Sequence, residues 1–375
     1  MVRIPRLLLA LGAGLLLVVG GLALHTRPVS PIKVGFAGQL EGLVSDLGVQ
    51  GRNGAQLAIE HVNERGGING QPLMLLAEHD GYTPGEASNA ARNLLGQGVV
   101  AIIGHMTSSQ TMASLPIVSA ANRVLISPTV ATPDLTGKTD AFFRVIPDNP
   151  SWAMALADYA YEQGLRTVHI ISDTTNAAFS APFVKAFTSS FVQRGGNVIS
   201  QQPINTLLRS SLDQAVESVL TLPADGVVFA TSARDAAQLA QKLRSAAPEL
   251  RLFSSSWAYT REIFLAGGSD VEGMIFALSF RPDDTSPAYV AFQHSYRARF
   301  GWEPNFAAAY AYEAALVLAA ALEITGGKPH GLREALVSVH GLQGVTGPIT
   351  LDAYGDVTRD THIVTISEGS FITVR

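Results

Sequence analysis

The chain is predicted to be an α/β protein built as two doubly wound units with largely parallel sheets. Three observations predict it. Short β-branched runs alternate with helical patterns over residues 32–146 and again over 151–255. Such alternation sets strands side by side in a sheet with crossover helices on both faces. At 375 residues the chain exceeds the usual size of a single core, so two domains are expected. Finally, 47% apolar and 15% charged residues describe a well-buried globular chain and not a disordered one.

The first series begins with a strand over 32–37. A helix opens near 42–45, carries Leu57, Ala58, His61 and Val62 at helical spacing, and stops at Gly66 and Gly67. Asn69-Gly70 marks a turn into a strand over 73–77, and a helix over 84–96 follows. The next stretch, 99–135, is where function is expected to concentrate. An apolar run over 99–103 ends in Gly104, then come Met106, Thr107, Ser108 and Ser109, and then a helix with Met112, Leu115, Pro116 and Val118 on one face. Hydroxyls there are natural N-caps, and the first N–H groups of a helix are unpaired and partly positive. The stretch reads either as an anion site or as plain helix capping. A second strand over 124–126 breaks into Ser127-Pro128-Thr129-Val130-Ala131-Thr132-Pro133, so two loops at one sheet edge present small polar groups. Ligands of open α/β sheets bind beyond the carboxyl ends of strands.

The second series runs helix 152–162, strand 167–172, helix 181–193, strand 198–204, helix 211–220, strand 226–230, helix 233–246 and strand 252–255. Beyond Trp257 come a short helix over 260–265, a strand over 273–279 and a helix over 287–300 with Tyr289, Phe292, Tyr296 and Phe300 on one face. The helix over 305–322 is apolar nearly all round, hence buried, and Glu313 is its one charge. A buried carboxylate needs a partner, and a structural one is expected. Strands over 361–366 and 371–374 read as a closing hairpin.

The chain carries 26 basic and 31 acidic residues, a net charge of −5, with no basic cluster, which makes nucleic acid a poor partner. It has no cysteine, which removes disulfides, thiolate metal sites, cysteine nucleophiles and a lipid-modified N-terminal cysteine. Arg3 and Arg6 precede an uncharged stretch over 7–24, the pattern of a secretory signal. Eighteen such residues also approach the length of a membrane span, so residues 1–31 are expected to be a signal peptide or an anchor with a tether.

Several chemistries are missing their signatures: G-x-S-x-G, G-x-x-x-x-G-K-[ST], H-E-x-x-H and a strand-to-helix G-x-G-x-x-G do not occur. The nine histidines are scattered without i, i+4 pairing, so neither a metal nor another cofactor is expected. His105 beside Ser108 raises a Ser/His hydrolase, but no carboxylate in that loop orients the imidazole.

Taken in order, Ile32-Lys33-Val34-Gly35-Phe36-Ala37, Asn63-Glu64-Arg65-Gly66-Gly67-Ile68-Asn69-Gly70, Ile103-Gly104-His105, Ser127-Pro128 and Pro133-Asp134-Leu135-Thr136 resemble the branched-chain amino-acid (Leu/Ile/Val) binding proteins. These are type I periplasmic receptors of ABC transporters. The likeness spans residues 32–375, with Gly344-Val345-Thr346-Gly347-Pro348-Ile349 near the end. It implies two lobes, 32–147 plus 277–345 and 148–276 plus 346–375, joined by three crossovers near 146–149, 272–276 and 344–348. It implies an amino-acid-like ligand in the cleft, an ABC permease as partner, and a periplasmic or other extracytoplasmic location. The membrane enters only through an uncleaved N-terminal segment, in which case a sensory receptor is the alternative.

The resemblance also places the ligand carboxylate against Met106, Thr107 and Ser108 and against Thr129, Val130 and Ala131. It places Phe179, Ser232 and Trp257 on the second lobe's wall. Ala131 stands where the family often has a threonine hydroxyl, and Trp257 where leucine-type receptors have an acidic residue for the ligand ammonium. Phe179 and Ser232 replace expected tyrosines. The expected ligand is therefore a small molecule bearing a carboxylate or amide, and not necessarily an α-amino acid.

Overall fold

The computed structural model describes residues 30–42 and 45–375. The signal or anchor expected over 1–31 lies outside the described residues, except for its last two positions. The first lobe is built on a five-stranded parallel sheet. Its strands are β1 (Ile32–Gly38), β2 (Leu73–His79), β3 (Ala101–Gly104), β4 (Val124–Ser127) and β5 (Phe142–Arg144), in the order β2-β1-β3-β4-β5. Helices α1 (Asp46–Glu64), α2 (Pro84–Gly96) and α3 (Ser108–Ala120) connect them. Thr83 and Glu86 close α2 with a reciprocal capping box, a signal written in the sequence as Thr-Pro-Gly-Glu.

The second lobe carries α4 (Pro150–Glu162), β6 (Thr167–Asp173), α5 (Ala177–Gln193), β7 (Asn197–Ile204), α6 (Arg209–Leu220), β8 (Gly226–Ala230), α7 (Ala233–Ala246) and β9 (Arg251–Ser254). The short α8 (Glu262–Gly267) and strand β10 (Ile275–Leu278) follow. Then α9 (Pro287–Phe300), α10 (Phe306–Thr325) and the short α11 (Leu332–Val337) return to the first lobe, and a small antiparallel ribbon, β11 (Leu342–Gln343) with β12 (Pro348–Ile349), comes next. The hairpin β13 (His362–Ser367) and β14 (Ser370–Thr373) completes the second sheet, whose order is β14-β13-β10-β9-β8-β6-β7. Only the hairpin runs antiparallel to its neighbours there.

The α/β alternation is therefore present twice, as the sequence predicts, but two crossovers lie later than expected. Residues 277 and 278, expected in the first lobe, belong to β10, which pairs with β9 and β13 in the second sheet. After 346 the chain stays on the first lobe: the Gly355 carbonyl accepts from Arg144 N–H (3.0 Å), and Asp356 accepts from Arg144 Nε (2.7 Å) and from Gly137 N–H (2.8 Å). It joins the second sheet at His362. Buried charge on Arg144, 1% exposed, fixes this path because the guanidinium must be paired wherever the chain leaves it.

Helix α10 is long and apolar enough to cross a membrane by composition alone, yet it is a core helix packed against α1. Their closeness depends on Gly54, where a Cβ would lie 2.0 Å from the Ala308 carbonyl oxygen. Glu313, on the same helix, is fully buried and paired. It accepts from Thr346 N–H (2.7 Å), Thr346 Oγ1 (2.9 Å) and Arg359 Nη2 (2.6 Å). Arg359 also donates from Nε to the Val145 carbonyl (2.7 Å) and from Nη1 to Thr346 Oγ1 (2.6 Å). One guanidinium thus ties the first crossover, after β5, to the last.

Candidate functional site

The carboxyl ends of β3, β4, β6 and β9 all open onto a cavity between the lobes. The first lobe supplies Met106, Thr107 and Ser108 at the start of α3 and Thr129 after β4. The second lobe supplies Asn176 and Phe179 at the start of α5 and Ser256 and Trp257 after β9. Crossover residues Ile146 and Ser279 and the ring of Tyr310 form the floor.

Local hydrogen bonds hold the first-lobe wall rigid. Ser127 Oγ donates to the His105 carbonyl (2.8 Å) and accepts the N–H groups of Thr129 (3.3 Å) and Val130 (3.2 Å). Thr129 Oγ1 donates to the Met106 carbonyl (2.7 Å), and Thr107 Oγ1 donates to Gln110 Oε1. Ser108 differs from these hydroxyls. It is 1% exposed, lines the cavity, and has no hydrogen-bond partner for Oγ among the described residues. A buried hydroxyl left unpaired costs stability, which sets Ser108 apart from its bonded neighbours Thr107 and Thr129.

Of the nine residues expected here, the fold brings Met106, Thr107, Ser108, Thr129, Phe179 and Trp257 together on the cavity wall. Val130 and Ala131 are not on that wall; both are fully buried in the first lobe's core. Ser232 caps α7, accepting from Asp235 N–H (3.3 Å) and donating to Asp235 Oδ2 (2.9 Å). It lies in a separate depression with Asp46, Arg234 and Glu262, which shares Leu47 and Trp257 with the cavity. Burial pushes the Asp46 carboxyl pKa upward there, against hydrogen bonds from Thr260, Gln50 and Asn305.

Sequence reasoning missed Trp152, Ser256, Phe280, Phe306 and Tyr310. Ser256 could have been found, because it follows a strand end as Ser108 does. Trp152 and Tyr310 reach the cavity from helices: Trp152 Nε1 donates to Ser279 Oγ (2.9 Å) and Tyr310 Oη donates to the Ser279 carbonyl (2.7 Å). Nothing near them in sequence marks that role. Phe179 and Trp257 stand edge to face, 5.8 Å between centroids.

His105 is oriented after all, though not from its own loop. Its Nδ1 lies 2.7 Å from Asp80 Oδ2, a residue just past β2, and both side chains are buried. His105 Nε2 has no hydrogen-bond partner among the described residues, so it is not bonded to Ser108. No group of three His, Asp or Glu able to hold a metal occurs among the described residues.

Two α/β lobes, a three-pass hinge and a cavity closed between strand ends define a ligand receptor of the two-lobed type. The chain belongs to the periplasmic binding protein family, whose description matches residues 31–370. It is 25% identical over 364 residues to an amino acid binding protein of Pseudomonas aeruginosa, covering 92% of each chain. A leucine binding protein of Thermotoga maritima has the same fold, with a TM-score of 0.84 and 22% identity over 92% of this chain and 98% of that one. So does an R. palustris solute binding protein in complex with benzoate, with a TM-score of 0.82 and 20% identity over 92% and 96% of the two chains. Members of the family are extracytoplasmic solute receptors.

Proposed function

We propose that the protein is the solute receptor of an ABC importer, binding a small carboxylate- or amide-bearing molecule between its lobes and presenting the closed form to a permease. The observation that carries this reading is the unpartnered Ser108 hydroxyl at the first turn of α3, where N–H groups and the helix dipole favour an oxygen anion. Thr107, Met106 and Thr129 shape that end of the cavity, and Phe179 and Trp257 cover the ligand body. Val130 and Ala131 act from behind by packing the loop, and Ser232 by holding α7. Amino acids bound by the Pseudomonas relative and benzoate bound by the R. palustris protein share the carboxylate that this end would hold.

A ligand that touches both lobes stabilises the closed state by its differential affinity, and the permease reads that state. The receptor reading is preferred over a hydrolase because Ser108 and His105 are not hydrogen-bonded, so the serine has no base. Export would depend on residues 1–31, cleaved or retained. Retention would favour the sensory alternative, and mass spectrometry of the mature N-terminus decides between them.

The test of the site is a thermal-shift screen over small acids and amides, followed by titration calorimetry on the best hit. Ser108→Ala is expected to weaken that hit roughly tenfold, the worth of one hydrogen bond to a charged group. Unchanged affinity in this variant would remove the site from the reading.

A further inference from the structure

We infer that the ligand is a small monoanion with a flat aromatic body and no ammonium group. The inference rests on the reading that the start of α3 holds a carboxylate, and it narrows the molecule that carries the carboxylate.

The first support is the absence of countercharge. No Asp, Glu, Lys, Arg or His lines the cavity among the described residues. An α-ammonium brought in with the carboxylate would find hydroxyls, carbonyls and aromatic faces but no carboxylate. The one side-chain amide, Asn176, already spends its Oδ1 on Ser109 N–H at 3.1 Å. Without a carboxylate partner the buried ammonium is disfavoured against the same acid lacking it. Asp46 and Glu262 line the adjoining depression together with Arg234, and neither lines the cavity itself.

The second support concerns the anion. Helices α3 and α5 begin on opposite lobes and both of their first turns line the cavity. Each brings a partial positive end to the same space. Closure sets these two ends against each other, and a net negative ligand between them offsets the repulsion. A zwitterion or a neutral amide does so less well. Ser108 Oγ, buried and unpartnered, marks where one carboxylate oxygen sits.

The third support is the body of the cavity. Trp152, Phe179, Trp257, Phe280, Phe306 and Tyr310 enclose it, and their faces and edges complement a ring better than a flexible chain. Burial pushes the Tyr310 phenol far above its ordinary pKa, so it stays neutral and adds no charge.

Calorimetry on the full chain tests the inference with benzoate, 4-hydroxybenzoate, phenylacetate and cinnamate as aromatic acids. Benzamide removes the charge, leucine and phenylalanine add the ammonium, and 4-methylpentanoate is leucine without its ammonium. At least one aromatic acid is expected to bind at micromolar Kd or tighter. Benzamide and both amino acids are expected to be weaker by on the order of 100-fold. 4-Methylpentanoate should bind better than leucine but less well than the aromatic acid. Leucine or phenylalanine binding as tightly as the best aromatic acid would overturn the inference while leaving the carboxylate site intact, provided Ser108→Ala weakens that amino acid. Benzamide matching benzoate, or no aromatic acid binding at all, also overturns it. Loss of the Ser108→Ala effect on every acid that binds would instead overturn the site itself.

Discussion

Ser109 and Asn176 stand on opposite lobes and cap each other's helices across the cleft. Ser109 N–H donates to Asn176 Oδ1 at 3.1 Å, and Ala178 N–H donates to Ser109 Oγ at 3.3 Å. Both bonds join one lobe to the other. Asn176 makes no cap bond within its own helix, so its side chain is committed to the partner lobe.

This pair is expected to act as a latch on ligand release. A lost cap is worth about 1 kcal/mol, so Ser109→Ala and Asn176→Ala should each speed dissociation about fivefold. Association should change little, because the bonds form after the ligand has entered. Stopped-flow release of a bound acid reads both rates. If the two variants release at the wild-type rate, the cross-lobe caps do not hold the cleft.

The Glu313–Arg359 pair at the hinge is expected to matter for stability more than for ligand chemistry. Its atoms lie 2.6 Å apart with 0% and 9% exposure, and breaking a buried pair by removing one partner costs about 3–5 kcal/mol. Glu313→Gln, which keeps an acceptor for Thr346, should sit near the low end of that range, and Glu313→Ala near the high end. The double variant Glu313→Leu with Arg359→Met should lose less than Glu313→Leu and Arg359→Met made singly and summed, because no charge is then left unpaired. Urea denaturation of the set measures this; strict additivity would mean the pair is not coupled.

Much of this architecture was legible from local pattern. The helices over Pro84–Gly96, Ala233–Ala246 and Pro287–Phe300 and the strand Gly226–Ala230 fall where periodicity and turn residues put them. The first-lobe wall was legible too, since Ser108 and Thr129 follow strand ends with hydroxyls. What stayed hidden was long-range. Asp80 reaches His105 from 25 residues away, and Arg359 reaches Val145 from 214 away. Tyr310 sits in a helix whose apolarity announced burial but not which cavity one of its rings would floor. The delayed last crossover has the same origin: Asp356 is held by Arg144, a pairing with no local signature.

Gly54 tests the packing that supports the first lobe. In the interior of a helix, alanine is ordinarily about 1 kcal/mol better than glycine. Here the added Cβ would come within 2.0 Å of the Ala308 carbonyl oxygen, which is backbone and cannot rotate away. Helices α1 and α10 would have to move apart, and overpacking of this kind costs about 1–3 kcal/mol or more. Gly54→Ala should therefore lower the unfolding midpoint despite its better propensity. A midpoint equal to or above wild type would show that the two helices tolerate the shift.

Asp173 gives the second lobe a pH dependence of unusual sign. It ends β6, is fully buried, and accepts from Thr175 N–H (2.8 Å) and Thr175 Oγ1 (2.7 Å). Burial pushes its pKa from 3.8 to about 6, those hydrogen bonds oppose the shift, and the nearby Asp235 carboxylate adds to it. Between about pH 4 and pH 6 the folded chain therefore holds a proton that the unfolded chain has released. Stability from this group is full below pH 4, falls as pH rises through that window, and is lost above pH 6. The shift corresponds to about 3 kcal/mol. Asp173→Asn, which cannot ionise and keeps an acceptor for the Thr175 N–H, should flatten this slope. It should leave the protein at least as stable as wild type at pH 7.5. Urea midpoints at pH 4.5, 5.5, 6.5 and 7.5 compare the two chains, and parallel profiles across that range would assign the slope to other carboxylates.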